Sequence, residues 1–189
     1  MDLFERSKER WKEKYLFDME TRSNSGQDYG RKMADGLEHD ELTGDVVLDL
    51  VVAQIPKLEV MEFELNAELS HGKKREPIKL FSRLDTANRD LSAFKEYKTG
   101  LEPWTQTKVD NSGQITFYAT GAYLKTGKLT EDIELVYVPT ERSLDGRIRA
   151  TGDMTRFRTH RRLDQVLNMM VRVKRAWEGM EKLTHETLL

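Results

Sequence analysis

Apolar positions follow a helical period at both ends of the chain and a period of two in the middle. Phe4, Trp11, Tyr15 and Met19, separated by charges, predict an amphipathic helix up to about residue 21, ended by Ser23-Asn24-Ser25-Gly26. A second helical stretch, residues 28–55, places Met33, Leu37, Leu42, Val46, Leu50 and Val51 on one side, with Gly44 bending or dividing it and Pro56 closing it. From Lys57 the alternation of Leu58, Val60, Met61, Phe63, Leu65 and Leu69 marks a strand, irregular only at Val60-Met61. Residues 78–85 and 93–98 are the next strands, so 57–98 reads as a three-stranded meander.

Residues 100–111 read as a loop around Pro103. Ser112 is placed to cap a helix carrying Ile115, Phe117, Tyr118, Ala122 and Leu124, which stops at Gly127. Residues 133–138 form a strongly β-forming strand, and 147–159 read as one more strand folded back through Ser143-Leu144-Asp145-Gly146. The chain closes on a long helix, where Leu163, Val166, Leu167, Met170, Val173, Trp177 and Met180 predict the core-facing stripe. This order predicts an α/β fold: a mixed central sheet flanked by helices, with N-terminal and long C-terminal helices. Residues 1–189 are expected to form one domain, its core at about 30–140 and a basic strand plus helix at 141–189.

Charge sharpens the picture more than composition does. The formal net charge is only -2, yet residues 35–68 hold ten acids and one base, whereas 147–175 hold nine Lys or Arg and two acids. A polyanion held by the second segment and cut near the first is one consequence. The chain has no cysteine, which excludes disulfides, thiolate zinc sites, cysteine-ligated iron–sulfur clusters and a cysteine nucleophile. No run of apolar residues is long enough to span a membrane, and the charged N-terminus lacks the apolar core of a secretory signal. A soluble protein of the cytoplasm or another intracellular compartment, with no membrane association, is expected.

Residues two apart on a strand share a face, so Glu96 and Lys98 point together, and Asp85 meets them if the preceding strand lies alongside. Two carboxylates and a lysine suit a hard divalent cation, Mg2+ or Mn2+, beside a scissile phosphate. Lys98 would lie next to the attacking water, as a base if burial lowers its pKa or as a cation stabilising the transition state. Tyr97 points to the opposite face and offers its backbone carbonyl as a further oxygen ligand. Gln114 and Tyr118, four apart, share one helix face. Arg156, Arg158, Arg161 and Arg162 are spaced to grip phosphates, with Arg83 and Arg89 close to the candidate catalytic strands.

Asp85, then Glu96-Tyr97-Lys98-Thr99-Gly100, then Gln114-Ile-Thr-Phe-Tyr118 resemble in order and spacing the RecB-like branch of the PD-(D/E)XK nuclease superfamily. Upstream, Gly36-Leu-Glu-His39 is similar to that family's helical glycine-to-histidine motif, and the resemblance covers roughly residues 30–140. It implies a restriction-endonuclease-like core and a metal-dependent deoxyribonuclease, an exonuclease rather than an endonuclease. It also implies that Asp85 and Glu96 bind the metal with His39, that Lys98 acts beside the water, and that Gln114 and Tyr118 position the lysine, the water or the DNA backbone. The substrate it implies is single- or double-stranded DNA, and the partner a recombination or replication protein that recruits the enzyme. Ser82 stands where many members have glycine, and relatives with a four-cysteine cluster are excluded. The alternatives are a non-catalytic nucleic-acid-binding or assembly module that retains the nuclease fold, and an interaction protein whose charged helices bind another chain.

Overall fold

The computed structural model describes residues 7–9, 25–72 and 76–188. The helix expected over the first 21 residues falls, apart from 7–9, outside the described residues. Along the chain run α1 (Ser25–His39), α2 (Val46–Val52), β1 (Val60–Leu69), β2 (Ile78–Ala87), β3 (Ala93–Gly100), α3 (Gln106–Asp110), α4 (Gly113–Thr126), β4 (Asp132–Arg142), β5 (Ile148–Ala150), β6 (Thr155–Thr159) and α5 (Leu163–Leu188). Among the described residues the six strands form one mixed sheet, giving the α/β class that the periodicities predict.

β1, β2 and β3 pair antiparallel as the expected meander, and β4 then joins β3 in parallel. A parallel neighbour needs a crossover, which α3 and α4 supply. The outer edge of β4 carries β6 against residues 133–137 and β5 against 140–142. Residues 147–159 are therefore two short strands, not one. Between them Gly152 adopts φ 93° and Thr151 N donates to Pro139 O at 3.1 Å, which breaks the extended run.

Alternation along the strands sends side chains to two cores. Leu65, Leu84, Phe94 and Leu135 pack under Ile115, Ala119 and Ala122 of α4. On the other face Tyr97, Val136 and Val138 meet Met33 and Leu37 of α1 and Leu48 and Val51 of α2. α5 adds a third patch, setting Met169 and Val173 against Ala67, Leu69, Ile78 and Leu80. Ser112 caps α4, its hydroxyl accepting from Ile115 N at 3.4 Å, and Gly127 ends it at φ 71°.

The single helix expected over 28–55 is divided. Asp40 and Gly44 take positive φ, Thr43 Oγ1 donates to Asp49 at 2.7 Å, and the Asp45 carboxylate accepts from Val47 N and Leu48 N to start α2 afresh. The break shifts the helical phase, so Leu42, Val46 and Leu50 are exposed although one continuous helix would bury them with Met33. Gly36 permits the fold-back, because a Cβ there would sit 2.8 Å from Thr43 Cγ2. Tyr29 locks the corner, donating to Asp45 Oδ2 at 3.0 Å and accepting from Ala150 N at 2.7 Å.

Two further expectations need correction. The loop at 100–111 contains the short helix α3, capped by Thr105 and anchored by buried Val109. On α5 the buried stripe is Val166, Met169, Val173 and Ala176, while Leu163, Leu167 and Trp177 of the expected stripe are exposed. The helix is turned by roughly one residue from the sequence reading. No helix among the described residues is long and apolar enough to cross a membrane.

Candidate active site

The β2–β3 ladder pairs at Ala87–Phe94 and Thr86–Lys95 and goes no further. Asp85 and Glu96 are the next residues, so they stand where the two strands separate. Asp85 occupies the opening, Oδ2 accepting from Tyr97 N at 2.5 Å. A side-chain acceptor thus satisfies an amide that the ladder leaves unpaired, and the carboxylate is fixed in place by it.

Glu96 is 2 % exposed. Its Oε1 accepts from Gln114 Nε2 at 2.8 Å and is ion-paired with Lys98 Nζ, whereas Oε2 is a buried atom with no hydrogen-bond partner. Gln114 also donates to the Tyr118 hydroxyl at 2.7 Å, and Tyr118 meets Phe94 edge-on with ring centroids 6.2 Å apart. Gln114 lies in the first turn of α4, whose positive dipole end favours a carboxylate nearby. Asp85, Glu96, Lys98, Gln114 and Tyr118 therefore come together from three elements.

The electrostatics are those of a site short of positive charge. Burial, then the Glu96 charge, push the Asp85 carboxyl up to about 7 against the opposing pull of the Tyr97 amide and Lys98. Burial likewise raises Glu96, although Lys98 and Gln114 oppose it. The Tyr118 phenol is held protonated by burial and by the Glu96 charge. Tyr97 turns to the other face and donates to Pro56 O at 3.0 Å, leaving its backbone as its contribution to the site.

Glu62, which the sequence reading passes over, belongs to this group. It takes φ 48° opposite Asp85, between the flanking pairs Met61–Thr86 and Phe63–Leu84, and strain of that kind concentrates at functional positions. Its carboxylate lies 3.3 Å from Arg83, and burial and Asp85 raise its pKa. The irregular apolar pair Val60-Met61 was the signal in the sequence: alternation fails next to the residue whose backbone is inverted.

His39 is not brought to the pair in the same way. It stands at the C-terminus of α1 with its side chain 55 % exposed and its imidazole 3.8 Å from Glu38, and it is Glu38 whose charge reaches Glu62. Among the described residues no three carboxylate, imidazole or thiol side chains form a metal cage. The donors still fit a magnesium- or manganese-type ion. Such ions take one or two carboxylates and complete their shells with water and phosphate, and a buried carboxylate oxygen without a partner is a vacant donor.

The arginines divide. Arg83, Arg89 and Arg158 are exposed, and exposed Arg162 pairs with Asp164 at 2.9 Å. Arg156 grips Glu134 with two bonds of 2.7 and 3.0 Å. Arg161 is 3 % exposed and cannot contact DNA from where it sits. Its guanidinium donates to Thr116 and Thr159 hydroxyls and to the His160 and Val109 carbonyls at 2.8–2.9 Å, pinning the α3–α4 junction to β6. Arg161→Ala is expected to cost about 2–3 kcal/mol in chemical unfolding by orphaning these acceptors, and to change no DNA binding that the folded protein shows. A loss of affinity without loss of stability would restore the phosphate-binding role.

No family model matches the chain, and no curated protein or solved structure matches it significantly.

Proposed function

We propose that the protein is a metal-dependent deoxyribonuclease, with the Asp85–Glu96–Lys98 cluster as its catalytic centre. The observation that carries this reading is Glu96: a fully buried carboxylate with one oxygen unpartnered, adjoining a second carboxylate that burial and like charge keep from ionising freely. An isolated structural ion pair with Lys98 would need neither Asp85 nor the vacant oxygen. The motifs that resemble the RecB-like nucleases fall on the same residues.

Asp85, Glu96 and the Tyr97 carbonyl would hold Mg2+ or Mn2+, which would acidify water and neutralise charge on phosphate oxygens. Lys98, held by Glu96 at the end of the pair, presents its ammonium to the attacked phosphate and stabilises the charge that develops there. Gln114 spends one amide proton on Glu96 and the other on Tyr118, so it fixes the carboxylate's orientation. Arg83, 3.3 Å from Glu62 and largely exposed, is placed to take a flanking phosphate.

The test is cleavage of end-labelled linear and closed circular DNA with magnesium, manganese or EDTA. Wild type is expected to cut with either metal and not with EDTA, and Lys98→Ala to lose about a hundredfold or more in rate. Cutting of linear DNA alone would make it an exonuclease. DNA binding without cutting under either metal would replace this reading with a binding module on a nuclease fold.

A further inference from the structure

Beyond Lys98 the wall of the site continues as a cleft of about 770 Å³, following Thr99, Gly100, Leu101 and Glu102 to Trp104 and Lys108. Trp104 is half-buried, packs against the core under α4, and carries the Lys108 ammonium 4.5 Å from its ring centroid. Its backbone is bracketed by Pro103 and by Thr105, the cap of α3. A large aromatic ring is therefore held rigid in the wall of the cleft that also contains Asp85 and Lys98.

Resting on the nuclease reading, we propose that Trp104 and Lys108 form a platform that stacks one unpaired nucleobase close to the scissile phosphate. Base–aromatic stacking is stronger than an exposed cation–π contact, so a base displaces the ammonium from the ring. Lys108 then pairs with the adjoining phosphate. Glu102 in the same wall repels that phosphate, and Lys108 offsets it. A base inside a duplex is already stacked on both faces, so the platform recognises unpaired nucleotides. The ring's packing against the core means that little freedom is lost on binding.

The experiment measures fluorescence anisotropy of labelled oligothymidylate and of a labelled blunt-ended duplex, with calcium in place of magnesium, for wild type, Trp104→Ala, Trp104→Phe and Lys108→Ala. Trp104→Ala is expected to weaken oligothymidylate binding about tenfold or more and to spare the duplex, with Trp104→Phe intermediate. Lys108→Ala should reduce the salt dependence by about one phosphate contact. Oligothymidylate binding by Trp104→Ala at wild-type strength, or equal loss on both ligands, overturns the platform. Should Trp104→Ala not fold, quenching of tryptophan emission by oligothymidylate decides: it is expected in wild type and lost in Trp104→Phe, and quenching retained in Trp104→Phe overturns the proposal. Metal-dependent cleavage alongside Trp104-independent binding would remove the platform and leave the nuclease reading standing. Trp104-dependent binding without cleavage would do the reverse.

Discussion

On the proposed nuclease reading, Asp85→Asn is expected to make the metal-free protein more stable at about pH 8 and to abolish both stabilisation by magnesium and cleavage of DNA. Asp85 binds its proton more tightly folded than unfolded, since burial and Glu96 push it up to about 7. The stability this confers is fully present below the ordinary aspartate range and is lost as pH rises through about 7. The span corresponds to an upper limit on the order of 4 kcal/mol. Asparagine keeps an acceptor for Tyr97 N and removes the charge, so the variant should lose that pH dependence. On the proposed metal site a divalent ion would reverse the sign in wild type, because it would bind the ionised pair and add stability with its concentration. Thermal unfolding between about pH 5 and 8, with EDTA and with magnesium, measures all of this. A wild-type melting temperature that ignores both pH and magnesium would sink the metal-site reading.

The second large effect lies one strand away and concerns stability alone. Glu134 of β4 is buried between Lys95 of β3, at 2.7 Å, and Arg156 of β6, so one carboxylate joins three strands across the parallel pair. Burial alone would raise its pKa, but the Arg156 and Lys95 bonds outweigh burial and hold it below the usual glutamate range. Its contribution is present above that range and fails as pH falls through its lowered folded value. Glu134→Ala leaves the buried Lys95 ammonium uncompensated and should cost about 3–5 kcal/mol. The melting temperature would fall by roughly 6–20 °C. The double variant Lys95→Met/Glu134→Leu should recover much of that loss, since it removes both charges together. A single variant that melts like wild type would show that the triad adds no stability.

Most of the site was readable because its signals are local. Asp85, Glu96 and Lys98 were found from strand alternation and Gln114 and Tyr118 from the motif that resembles the RecB-like nucleases, and the fold brings all five together. Glu62 left a trace in the broken alternation at Val60-Met61. His39 and Arg161 show the limit: a histidine on a helix and an arginine in a basic run look the same in sequence whether they face a ligand, the solvent or a carbonyl. Arg161 is withdrawn from the surface by Val109, 52 residues earlier, and by Thr116.

The sequence by itself determined the α/β class, strands β1 to β4, helix α4 with its Ser112 and Gly127 ends, and the pairing of two acids with a lysine. These follow from periodicity and from the conformational preferences of single residues. Only the tertiary structure decided that β4 runs parallel to β3, that β2 and β3 part at Asp85, which face of α5 is buried, and which arginines stay free. Each of those depends on partners far apart in the chain, such as Lys95 with Glu134 or Tyr29 with Ala150. No local pattern encodes such a meeting, because its free energy exists only once the sheet has formed.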